Sequence, residues 1–87
     1  EGGEAEELAA RLEEVGEGVE RAVSLVNALL AEYEEVKRAT IGLPHEWAEE
    51  LTRALEVWRS AAYSTLNDLY RAQLEADELL KRLRPGA

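Results

Sequence analysis

His45 is the single histidine of the 87-residue chain, and Glu49 stands one helical turn after it. A histidine and a carboxylate at i,i+4 share a helix face, and His-Glu opens the zinc-protease pattern His-Glu-x-x-His. Here the run is His45-Glu46-Trp47-Ala48-Glu49, so Glu49 occupies the place of the second histidine. Two ligands fall short of the three a catalytic zinc takes and the four of a structural one. The Glu-x-x-His motif of di-iron bundles is missing too, because position 42 is glycine. With no cysteine and no second histidine, the usual nucleophile–base pairs cannot be assembled. The doublets Glu6/Glu7, Glu13/Glu14, Glu34/Glu35 and Glu49/Glu50 offer paired carboxylates, but adjacent helical residues point about 100° apart. They read as solvated charge. No catalytic residue, metal ligand or cofactor site is expected, and the chain is read as a non-enzyme.

The elements that carry these residues are two long helices. Gly2 and Gly3 precede a first helix over about residues 4–40, and Glu4, Glu6 and Glu7 supply the negative charge its N-terminus favours. Leu8, Leu12, Val15, Val19, Ala22, Val26, Leu29, Tyr33 and Val36 recur at alternating four and three, a heptad seam. A turn over 41–44 follows, in which Gly42 suits a left-handed exit and Pro44 suits the first helical position. The second helix, over about 45–84, repeats the spacing from Ala48 through Leu55, Ala62, Leu69 and Ala76 to Leu83, and Pro85-Gly86 ends it. Gly16 and Gly18 each cost about 1 kcal/mol in a helix interior. The heptad phase nevertheless runs through them unshifted, which favours one continuous helix over a three-helix bundle. The fold class is therefore all-α, one domain of two long antiparallel helices, completed to a four-helix bundle by self-association. Folding at Gly42 sets residue i across from roughly 86 − i and gives the glycines a bulky neighbour.

The net charge of −9 divides as −7 over residues 1–41 and −2 over 42–87. Such a chain is repelled by nucleic-acid phosphates and by anionic lipid, so neither nucleic acid nor membrane is an expected partner. No signal-peptide or membrane-spanning pattern is present in the sequence, which reads as soluble with its location undetermined.

The middle of each helix is apolar nearly all round, as in Ala22–Ala31 (AVSLVNALLA), which implies cover from more than one neighbour. With Leu8, Val15, Ala22, Leu29 and Val36 at heptad position d and Leu12, Val19, Val26, Tyr33 and Thr40 at a, the a and d rows form the expected seam. One flank (positions e and b) then carries Val23, Asn27, Leu30, Tyr63, Leu66 and Tyr70, a mixture of aromatic, amide and aliphatic groups suited to a protein interface. The opposite flank (g and c) carries Gly18, Leu25 and Ala28 with Trp47, Ala54, Val57, Ala61 and Ser64. The Val23–Tyr70 set is the expected interface, and Tyr63→Asp is expected to break association. Thr65, Ser64, Ser60, Ser24, Asn27 and Asn67 cluster at mid-level, but Ser24, Ser60 and Asn67 fall at f, facing away from the seam.

Unbroken heptads, Glu-Glu doublets at the exposed ends, the Gly42-Leu43-Pro44 connection and the joint absence of Cys, Met and Phe resemble de novo designed helical hairpin and bundle proteins. That resemblance implies either a symmetric oligomer or a binder of a chosen target. Three functions follow: a homodimeric four-helix bundle, a binder of a separate protein through the Tyr63/Tyr70 flank, and a small-molecule-binding bundle bordered by Gly16 and Gly18.

Overall fold

In the computed structural model, which describes residues 2–85, the chain is a helical hairpin: α1 (Gly2–Ala39), a 3-10 turn (Thr40–Gly42) and α2 (His45–Leu83). No strand occurs among the described residues. α1 runs unbroken through Gly16 and Gly18.

The turn differs from expectation in its mechanism. Gly42 belongs to the 3-10 turn and does not adopt the left-handed conformation. The Leu43 amide donates to the Thr40 carbonyl at 3.1 Å, and Leu43 itself is extended (φ −89°, ψ 154°), as the residue before a proline prefers. Pro44 is the residue just before the helix rather than the first within it, and its carbonyl accepts the Ala48 amide at 3.0 Å. The Thr40 hydroxyl donates to the Lys37 carbonyl at 2.6 Å, closing the buried end of α1.

The register is shifted accordingly. Tyr33 meets Trp58, Glu20 meets Gln73 and Glu6 meets Arg84, so residue i lies across from about 91 − i rather than 86 − i. A 3-10 residue rises about 2.0 Å and an extended one about 3.3 Å, against 1.5 Å in an α-helix. Residues 40–43 thus carry the chain beyond α1 by several helical residues before α2 turns back.

The seam is rotated as well. In α1 the sheltered residues are chiefly Ala9, Leu12, Gly16, Val19, Val23, Val26, Leu30 and Tyr33, and in α2 they include Leu55, Ala62, Leu66, Leu69, Gln73, Ala76 and Leu80. These are the a and e rows. Most of the d row faces out: Leu8, Val15, Leu29 and Val36 on α1 and Trp58 and Leu79 on α2 are exposed, while Ala22 and Leu51 stay half-buried. Turning both helices by half a position brings alanines to the contact and lets the b-row acids reach across. Among the described residues three of the five buried apolar side chains are alanine (Ala9, Ala62, Ala76), and no large side chain is completely enclosed. The core is thin.

Candidate interaction surface

The two flanks of the hairpin have opposite chemistry because the seam uses a and e. In an antiparallel pair, b-row residues of both helices line one side, and d- and g-row residues line the other. The b side is polar. Arg84, only 28% exposed, forks between Glu6 and Glu13, with its Nε donating to Glu6 Oε2 at 3.2 Å. Gln73 Nε2 donates to Glu20 Oε1 at 3.4 Å on the same side. These contacts zip the open end of the hairpin.

Of the six residues expected at an interface, the structure leaves three on this polar side and folds three inward. Leu66 is 6% exposed and belongs to the core, and Val23 and Leu30 are half-buried in the seam. Asn27, Tyr63 and Tyr70 are exposed. Tyr63 carries the Arg59 guanidinium over its ring at 5.7 Å, a contact worth about 0.5–1 kcal/mol at an exposed site. Three aliphatic members of the expected patch are thus already engaged within the hairpin.

The other flank is the apolar one. Leu8, Val15, Leu25, Leu29 and Val36 project from α1, and Trp47, Val57, Trp58 and Leu79 from α2, all of them exposed. At the seam edge the Trp58 ring meets the Tyr33 ring, with centroids 6.0 Å apart and planes inclined at 37°. Leu25 is 70% exposed and Trp47 67%. Isolated surface hydrophobics are ordinary, whereas apolar side chains aligned along two adjacent helices make this flank the candidate contact surface. The signal was present in the sequence as the d row; assigning that row to the seam concealed it.

The two glycines occupy open ground. A Cβ at Gly16 would meet nothing within 4 Å, and one at Gly18 would meet only the Arg21 guanidinium of its own helix at 3.8 Å. The expected bulky neighbour across the hairpin is therefore absent. His45 Nε2 and Glu49 Oε1 lie 3.2 Å apart, both well exposed at the start of α2. Among the described residues no three His, Cys, Asp or Glu side chains gather as a metal site, and no buried side-chain polar atom lacks a hydrogen bond. The Thr65 hydroxyl donates to the Ala61 carbonyl at 2.8 Å, a local helix contact. Among the described residues no helix is long and apolar enough to cross a membrane. No family model matches the chain, and no curated protein or solved structure is significantly similar to it.

Proposed function

We propose that this chain is a non-catalytic assembly module, a helical hairpin that pairs with a second copy of itself into a four-helix bundle through the flank of Leu8, Val15, Leu25, Leu29, Trp58 and Leu79. The observation that carries this reading is the row of large apolar side chains exposed along that flank, on a hairpin whose total surface is large for its mass. The hairpin exposes 6818 Å², whereas a compact monomer of its 9.7 kDa mass exposes about 5,100 Å² by the usual size scaling. A rod of 67 × 17 × 15 Å has one way to reduce that surface without refolding, which is to pack along its length. A contact strip running most of that length and about 15 Å wide covers on the order of 1,000 Å² per copy, above the roughly 800 Å² per partner of an ordinary stable interface. The designed symmetric bundles that the sequence resembles accord with this reading.

The test is thermal unfolding followed by circular dichroism over a hundredfold range of concentration. Folding coupled to association raises the melting temperature with concentration. A cooperative melt at one temperature throughout would overturn self-association and leave the flank to a different protein.

A further inference from the structure

We infer that the second copy lies antiparallel to the first, turn end over open end, with the two-fold axis crossing the rods near Arg21 and Tyr70. This rests on the self-association proposed above and adds its geometry. The rim of the apolar flank is charged unevenly. In the turn half it carries Glu32, Glu35 and Glu50, all three exposed; Glu35 is paired with Arg38 of the outer face at 2.8 Å, which leaves Glu32 and Glu50 as the acids without a cation on the rim. In the open half it carries Arg11, Arg21, Arg71 and Arg82 among its acids, also exposed. A side-by-side parallel pair would bring Glu32 and Glu50 of the two copies together at close range, with no rim cation to offset them. Exposed like charges facing each other destabilise, and they select against that pairing.

Reversal about the level of Arg21 instead carries Glu32 to the level of Arg11 and Arg82 of the second copy. Arg11 is free to turn toward it, since it sits 4.0 Å from Glu7 in a loose, well-exposed pair. The same operation sets Leu25, the most outward aliphatic of α1, over Gly18 of the second copy, since the two residues are equally spaced about the axis. Above Gly18 lies only the flexible Arg21 guanidinium of the same helix, 3.8 Å from where a Cβ would stand. A helix-interior glycine with no neighbour from the opposite helix thus receives one in the dimer once Arg21 swings aside, and the large-on-small fit recurs at both symmetry-related places.

The experiment uses the full chain with a nitroxide attached at Arg38→Cys, on the outer face away from the flank; the chain has no other cysteine. Pulsed dipolar spectroscopy then reads the distance between copies. Antiparallel pairing places the labels about 50 Å apart along the rods, from 1.5 Å per residue. A distance within about 30 Å, the width of two hairpins of 17 × 15 Å section side by side, would overturn the antiparallel geometry while sustaining self-association. No intermolecular dipolar signal would overturn self-association itself. As a second reading, Gly18→Leu should retain or raise helicity while weakening association at least tenfold. Undiminished association would remove the Leu25–Gly18 contact and with it the axis position.

Discussion

Replacing Leu25 by glutamate separates the stability of the hairpin from that of the assembly. Leu25 is 70% exposed, so in the free hairpin the change alters stability by no more than about 0.5 kcal/mol, as surface substitutions usually do. In the dimer each leucine buries its exposed portion, worth about 1.5 kcal/mol at the usual apolar transfer coefficient, and a symmetric pair loses this twice. The loss of about 3 kcal/mol lowers the association constant about a hundredfold, at 1.4 kcal/mol per decade. Desolvation of the new carboxylate only adds to that. The matched control is Tyr63→Asp, which adds the same charge on the polar flank, where the sequence alone had placed the interface. Sedimentation equilibrium of both variants beside the parent, with helicity monitored in parallel, makes the comparison. Leu25→Glu should be largely monomeric and fully helical, and Tyr63→Asp should associate nearly as the parent does. The reverse ranking would refute the assignment of flanks.

Other substitutions probe the hairpin itself. Leu66→Ala removes the largest well-sheltered α2 side chain beside Leu55; it should cost about 2–3 kcal/mol, the lower part of the range for leucine truncations because the core is thin, read as a shift in chemical denaturation. Gly16→Ala should stabilise by about 1 kcal/mol, since α1 is helical there and a methyl meets nothing within 4 Å; a loss of stability would mean that the site is filled. Arg84→Ala releases Glu6 and Glu13 together and should cost about 1 kcal/mol at low salt. Its effect should shrink in 1 M salt, with faster amide exchange confined to the open end.

The sequence carries the helices more clearly than their facing. Both helices, the antiparallel connection and the continuity across Gly16-Glu17-Gly18 follow from heptad phase and from Gly42-Leu43-Pro44, because these depend on neighbours in the chain. The choice between d and e rows does not. Within Ala22–Ala31, Ala22 and Leu29 compete with Val23 and Leu30, and both rows are apolar enough to form a seam. What separates them is long-range: e-row packing admits close contact at Ala9, Ala62 and Ala76 and brings Arg84 to Glu6 and Glu13. The register likewise depends on the extra length of the 3-10 turn and extended Leu43, which a count of residues does not reveal. Those two shifts relocate the candidate interface, moving Leu66 inward and the Leu25–Trp58 flank outward.

Molar mass by light scattering on a sizing column, from low micromolar to millimolar concentration, tests self-association most directly. Pairing along the apolar flank predicts a mass that climbs with concentration toward twice 9.7 kDa, with a hydrodynamic length little changed from the 67 Å rod. A mass that stays at 9.7 kDa across the range, in a chain that remains helical, would contradict it.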